Sequence, residues 1–99
     1  MNIEEIKKIW LDKSNRLCIQ PQTITFDMIY RSAMGVYWDV SEHYLYPSSV
    51  GSWSPGEWYH QIISAVKDEY NYQLYITSNT QWENINEPLK QSIIKGKGV

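Results

Sequence analysis

This 99-residue sequence has little cysteine, no long apolar run and no excess of basic residues. Its one cysteine, Cys18, excludes an intrachain disulfide and a zinc cluster built from cysteines. No apolar run approaches the ~18 residues that can span a membrane. The net charge of −2 disfavours nucleic-acid binding through bulk charge, because such proteins neutralise many phosphates with Lys and Arg. The sequence therefore predicts neither a membrane nor a nucleic-acid partner.

The N-terminal sequence and the lone cysteine also bear on the cellular compartment. Residues 1–5 include two acids, Glu4 and Glu5, where a secretory signal peptide has a basic start and an apolar stretch. Cys18 lies between Leu17 and Ile19, and a free cysteine in apolar surroundings is typical of a buried, unreactive side chain. We therefore expect a cytoplasmic protein with a buried Cys18 thiol.

The composition indicates a folded chain. Apolar residues make up 42% of the sequence and aromatic residues 14%, which is incompatible with intrinsic disorder. The sequence has no internal repeats, low-complexity stretches or linker-like segments. Its length suits a single hydrophobic core. We predict one globular domain over residues 1–99.

Four segments have the features of amphipathic helices. The first two have apolar residues at helical spacing, and Gly35 is a suitable C-cap for the second. The third is marked most clearly. Ser54 suits the N-cap and Pro55 suits the first helical position, while Glu57, at the third helical position, completes a capping box. In the fourth, Asn86 is a suitable N-cap and Gly96 a suitable end. The predicted helices are Asn2–Lys13, Thr25–Gly35, Ser54–Asn71 and Asn86–Gly96.

Strands are predicted where apolar and polar residues alternate, at Arg16–Gln20 and Tyr72–Thr77. Residues 36–46 leave two interpretations open. They are rich in strand formers around a polar turn, which indicates a hairpin, but their spacing also fits one long helix that continues through Gly35. We favour the hairpin because a glycine inside a helix costs ~1 kcal/mol. The predicted fold is α+β, a small, mostly antiparallel sheet with about four helices packed on it.

Acidic and aromatic residues are concentrated in the middle of the sequence. Residues 27–87 contain two basic residues against eight acids, together with all eight Tyr and four of the five Trp. The densest part, residues 37–60, has seven aromatic residues, three acids, two His and no Lys or Arg. Tyr and Trp build cores and also form binding surfaces. Both roles stay open for Trp53, which lies in a loop, and Trp58, which lies beside the main apolar stripe of the third helix.

These residues suggest an exposed groove that binds a cation. Trp53 and Trp58 would line it, with Glu57 at the adjacent helix start, and aromatic faces and carboxylates both attract cations. The candidate ligand-binding residues are Trp53, Trp58, Glu57, Asp39, Glu42, His43 and His60. We predict a non-enzymatic binding or interaction protein whose partner is a basic protein surface or an organic cation.

Three other interpretations are weighed against this one. Glu57 and His60 have the Glu-x-x-His spacing of di-iron bundles, but those proteins need two copies and this sequence has one, so no metal or cofactor is predicted. A small hydrolase with Glu57 or His60 as general base is the alternative function, although no nucleophile, base and orienting group are evident together. The aromatic region would also suit a dimer interface, and we expect a homodimer.

Four aromatic segments carry a resemblance to a known group of proteins. These are Gly35-Val36-Tyr37-Trp38-Asp39, Tyr44-Leu45-Tyr46, Glu57-Trp58-Tyr59 and Thr80-Gln81-Trp82-Glu83-Asn84-Ile85. Over roughly residues 35–90, the sequence resembles small orphan proteins carried on the mobile integron gene cassettes of bacteria. The resemblance implies a bacterial accessory role, and it assigns no functional residue.

Overall fold

A ten-residue strand runs through the middle of the sheet, and the other elements are arranged around it. The computed structural model describes residues 2–95. The strands are β1 (Asn2–Leu11), β2 (Leu17–Pro21), β3 (Val36–Asp39), β4 (Tyr44–Pro47), β5 (Tyr72–Tyr75) and β6 (Gln81–Glu83). The helices are α1 (Pro55–Tyr70) and α2 (Glu87–Lys95), and a single 3-10 turn spans Ile29–Ser32.

The six strands form one mixed sheet in the order β3-β4-β2-β1-β5, and β6 also pairs with β1. The β1–β2, β2–β4 and β3–β4 pairs are antiparallel, whereas β5 and β6 run parallel to β1. Helix α1 packs on the face that carries Ile9, Ile19 and Leu45, all fully buried. The predicted α+β class with a mostly antiparallel sheet is confirmed. The number of helices is wrong, since residues 2–95 contain two helices and the 3-10 turn.

The predicted helix Asn2–Lys13 is wrong, because these residues form the central strand β1. The cause of the misleading pattern is a β-bulge. Ile6 pairs with Pro21 and Lys8 with Gln20, so Lys7 is an extra residue on β1. An extra residue shifts the alternation of faces by one position, which turns both Ile6 and Ile9 toward the core. A bulged strand thereby acquires the three-residue spacing that is typical of a helix.

The predicted helix Thr25–Gly35 is reduced to the 3-10 turn. Phe26 and Ile29 are buried as expected, but Tyr30 and Ala33 are exposed. Ala33 adopts the left-handed conformation at φ 58°, which stops the helical path after one turn. The long-helix interpretation is therefore wrong, and the hairpin of β3 and β4 is confirmed.

The later elements follow the sequence more closely. Ser54 caps α1 with a complete capping box, and Asn71 ends the helix in the left-handed conformation, as predicted. Asn86 caps α2 by accepting a hydrogen bond from Leu89 N, and the predicted end at Gly96 lies outside the described residues. The predicted strands correspond to β2 and to β5, which ends at Tyr75. Strand β6 was not predicted.

Cys18 is buried as predicted, and burial raises the pKa of its thiol to about 12. At neutral pH the group is therefore an uncharged thiol and a poor nucleophile.

None of the helices within residues 2–95 has the length and apolar character needed to cross a membrane.

Glu4 is a buried carboxylate that joins β1 to the segment after β2. It is 7% exposed, and its Oε2 accepts hydrogen bonds from the backbone N–H groups of Thr23 (2.5 Å) and Ile24 (3.0 Å). The hydroxyl of Thr23 donates to Oε1 at 3.2 Å. Three donors of one loop therefore depend on a single side chain.

We predict that Glu4→Ala lowers the free energy of unfolding by about 2–4 kcal/mol, because buried donors left without partners are costly. Glu4→Gln should lose less, since one amide oxygen can accept both backbone N–H groups. Glu42→Ala, at an exposed turn, is the control and should change stability by less than ~0.5 kcal/mol. Urea unfolding measures all three, and equal losses for the Glu4→Ala and Glu42→Ala variants would contradict the assigned role.

The conformation of Ala33 gives a second prediction. The left-handed region costs a non-glycine residue ~1–2 kcal/mol, and a glycine avoids this cost. Part of the gain is cancelled, because Gly loses more conformational entropy on folding than Ala does. Ala33→Gly should therefore raise the free energy of unfolding by roughly 0.5–1 kcal/mol. Ser64→Gly, at an exposed position inside α1, should lower it by a similar amount, and a loss in both variants is the contradictory result.

Candidate functional site

Trp58 lies in the core and not on the exposed wall of a groove. Trp58 is 8% exposed, and its indole Nε1 donates a hydrogen bond to the carbonyl of Val50 at 2.9 Å. Trp53 is 41% exposed and packs on Trp58 with ring centroids 4.8 Å apart. The prediction that both indoles face a ligand is wrong for Trp58, because the hydrogen bond and the loop over it fix the ring inside.

Glu57 lies at the start of α1, where the sequence places it, and precedes Trp58 in the chain. Its carboxylate accepts a hydrogen bond from Ser54 N at 2.8 Å, while Ser54 Oγ accepts one from Glu57 N at 3.2 Å. Both partners of the capping box are thus engaged with each other. Glu57 serves the helix start, and this role accounts for its position.

Asp39 ends β3, and Glu42 and His43 lie in the turn that leads to β4. Asp39 Oδ1 accepts hydrogen bonds from the backbone N–H groups of Ser41 and Glu42, both at 2.9 Å. The bond from Glu42 N is the largest cause that lowers the pKa of Asp39. His43 stacks on Trp38 with an interplanar angle of 14°. These groups shape the turn.

The strand register sets the distance between the two groups. Gly35, at the base of the hairpin, lies close to the Trp58 ring, and Asp39 lies four residues further along the chain. At ~3.3 Å per residue, that places Asp39 more than ~10 Å from the Trp58 contact. His60 is in a third place, against Tyr59 in the wall of a cavity beside β5. The predicted residues are therefore not brought together in one site.

The structure instead assembles an aromatic row on the sheet face opposite α1, which we call the open face. Because side chains alternate along a strand, the residues that flank the buried Ile9 and Leu45 point to this side. The row comprises Trp10, Tyr44, Tyr46 and Tyr37, with successive ring centroids 4.9, 5.8 and 6.1 Å apart.

Two basic side chains lie over this aromatic row. Lys8 Nζ is 5.2 Å from the Trp10 ring centroid and forms an ion pair with Glu83. Arg16 lies 4.8 Å over the Tyr46 ring, and its Nε donates to Asp12 Oδ2 at 2.7 Å. Each cation of the open face is therefore already paired with an acid.

At one end of the row, the open face has a groove with a volume of ≈240 Å³. Its lining residues are Lys8, Trp10, Gln20, Glu42, Tyr44 and Glu83. Gln20 Nε2 donates to the carbonyl of Glu42 at 3.0 Å, which fixes the hairpin turn against β2. Burial raises the pKa of Tyr44 to about 12, so its ring carries a neutral hydroxyl at physiological pH. We take this groove as the candidate site.

Of the residues predicted from sequence, Glu42 belongs to this groove, and the others that line it were missed. Trp10 falls within the predicted helix Asn2–Lys13, whereas a strand places it on the same face as Lys8. The signal for Tyr44 was available, since the favoured hairpin puts Tyr44 and Tyr46 on the face opposite Leu45. Within residues 2–95, no three His, Cys, Asp or Glu side chains are placed to share a metal ion.

The different surroundings of the two indoles predict different costs of truncation. Trp58→Ala should lower the free energy of unfolding by about 3–5 kcal/mol, because it opens a large cavity and leaves Val50 O without its donor. Trp53→Ala should cost about 1 kcal/mol or less. Urea unfolding of both variants checks this, and comparable losses would show that Trp53 is as much a part of the core as Trp58.

The comparisons with known proteins agree with the resemblance drawn from the aromatic segments. A solved structure described as "Structure from the mobile metagenome of North West Arm Sewage Outfall: Integron Cassette Protein Hfx_Cass5" is 28% identical to this chain, with a TM-score of 0.50. The match covers 100% of this chain and 99% of that one. The search of curated proteins gives no match.

The sequence model of the family described as Integron Cassette Protein Hfx_Cass5 matches residues 4–80, which is more than half of the chain. This span takes in all but the first two residues of β1, together with β2 to β5 and α1, so it includes most of the sheet and the helix that covers it. The chain belongs to the Hfx_Cass5 family of integron cassette proteins.

Proposed function

We propose that this protein is a non-enzymatic binding protein whose groove holds the cationic group of a basic protein surface or an organic cation. One observation carries the proposal: the groove already holds an ammonium group, that of its own Lys8, between the Trp10 ring and the Glu83 carboxylate. A surface that fits this internal cation has the chemistry to fit an external one.

The aromatic walls supply the first part of the attraction. Trp10 and Tyr44 meet edge to face at an interplanar angle of 67°, so their rings form a corner and not a flat stack. A cation over an aromatic face gains ~0.5–2 kcal/mol, with the larger values where water is excluded. A corner lets one cation contact two rings.

The acids supply the second part. Lys8 is paired with Glu83, and Glu42 forms no ion pair within residues 2–95. Glu42 is exposed at the rim of the groove, and the Glu83 side chain is 62% exposed. An incoming cation that replaces Lys8 would meet two carboxylates, and salt would weaken this part of the attraction.

The hydrolase alternative has less support from the geometry. Glu57 is engaged in the capping box, and His60 lies on α1 beside β5, away from the groove. A general base has to come within hydrogen-bond reach of a substrate that other groups hold in place. The bacterial accessory role that the family implies is compatible with a binding protein.

The proposal predicts that removing the internal cation strengthens external binding. Lys8→Met keeps the length of the side chain and removes its charge, so tetramethylammonium should bind roughly 3- to 10-fold more tightly. Lys7→Met, at the exposed neighbouring position, is the matched control and should leave the affinity unchanged. Indole fluorescence and NMR shifts at Trp10 and Tyr44 report the titration.

A neutral probe of similar shape, tert-butanol, separates charge from size. Trp10→Leu should abolish the preference for tetramethylammonium over tert-butanol. Weaker cation binding by the Lys8→Met variant, or no binding by any variant at tens of millimolar, would contradict the proposal. Sedimentation of the same samples shows whether the chain self-associates, as the predicted homodimer would require.

A further inference from the structure

We infer that a second binding site, separate from the groove, lies where α1, β5 and α2 meet, and that it takes a small uncharged aromatic alcohol or phenol. A cavity of ≈400 Å³ opens there, within the range of ~300–1,000 Å³ typical of small-molecule sites. Its wall includes Tyr59, His60 and Ile63 of α1, Leu74 and Tyr75 of β5, and Ile93 of α2.

One side chain of the cavity wall, His60, has a buried polar atom that lacks a hydrogen bond. Its Nε2 atom is shielded from water and has no hydrogen-bond partner among residues 2–95. A buried polar atom without a partner is unfavourable, and most buried polar atoms in proteins are paired. The imidazole can turn about its Cβ–Cγ bond at small cost, because that torsion is broad, and so present Nε2 to a molecule in the cavity.

The chemistry of the lining selects the ligand. The described lining residues include no Lys, Arg, Asp or Glu, and burial raises the pKa of Tyr59 to about 12, so Tyr59 is neutral at physiological pH. A charged ligand would lose its hydration without gaining a counter-ion. A hydroxyl both donates and accepts a hydrogen bond, so it can pair with either neutral tautomer of His60.

The shape of the wall favours an aromatic ring. The Tyr59 and His60 rings are 5.5 Å apart at an interplanar angle of 82°, so together they form an aromatic corner. The rest of the wall has aliphatic side chains from α1, β5 and α2, among them Ile63, Leu74 and Ile93, together with the polar side chains of Gln73 and Tyr75. A ring with one hydroxyl can pack on these aliphatic side chains and pair with the buried Nε2 of His60.

This site does not depend on the proposed function. The groove lies on the open face, around Trp10 and Tyr44, whereas the cavity lies on the side of the sheet that α1 covers. A ligand in the cavity should shift the amide signals of Leu74 and Ile93 and leave those of Trp10 and Tyr44 unchanged. The failure of either proposal can thus be recognised separately.

The experiment is an NMR titration of the full chain with 4-ethylphenol and with 4-ethyltoluene, which replaces the hydroxyl by a methyl group. We expect 4-ethylphenol to bind about tenfold more tightly, because only the phenol can pair with His60. His60→Phe keeps a ring and removes the nitrogen, so it should abolish this preference. His43→Phe makes the same change at the exposed hairpin turn and should leave the preference intact.

Equal binding of the two compounds, an unchanged preference after His60→Phe, or no shifts at Leu74 and Ile93 up to the solubility limit would overturn the inference. If the His60→Phe variant does not fold, the comparison of the two compounds on the wild-type chain still decides. Shifts confined to the open face would also count against the cavity.

Discussion

The rest of the structure depends on one extra residue in β1. The bulge at Lys7 turns Ile6 and Ile9 toward the core although they are three positions apart, and it puts Lys8 and Trp10 on the open face. Strand side chains alternate with a period of two, so a shift of one residue exchanges the two faces. Without the bulge, a strand with Ile6 inside would turn Lys8 toward the core.

The same strand supports both sites. After the bulge, β1 pairs with β2 and β6, and this register places Glu83 opposite Trp10 and Cys18 on its other side. Before the bulge, β1 pairs with β5, whose Leu74 is in the cavity wall. The groove therefore depends on the second half of β1, and the cavity depends on the first half through β5.

The sequence correctly predicts those elements whose stabilising interactions join residues close together in the chain. Helix α1 begins at a capping box within four residues, and the hairpin follows from strand formers on both sides of Asp39–His43, so both could be predicted from sequence. Strand β1 could not, because a bulge is defined by the register with β2 and its spacing imitates a helix. The sequence leaves the burial of Trp58 open for a similar reason, because the loop that covers it, through Val50 O, makes a tertiary contact. The candidate groove combines β1, β2, β4 and β6, so Glu42 alone was predicted for it.

The central claim is that residues 2–11 form a bulged strand in the middle of the sheet, and NMR tests it most directly through nuclear Overhauser contacts between backbone protons. The account predicts contacts of Ile9 with Ile19 on one side and with Trp82 on the other, and Gln20 opposite Lys8 with Lys7 unpaired. Regular contacts between residues three and four apart along 2–11 would show a helix, and they would contradict the fold and the groove together.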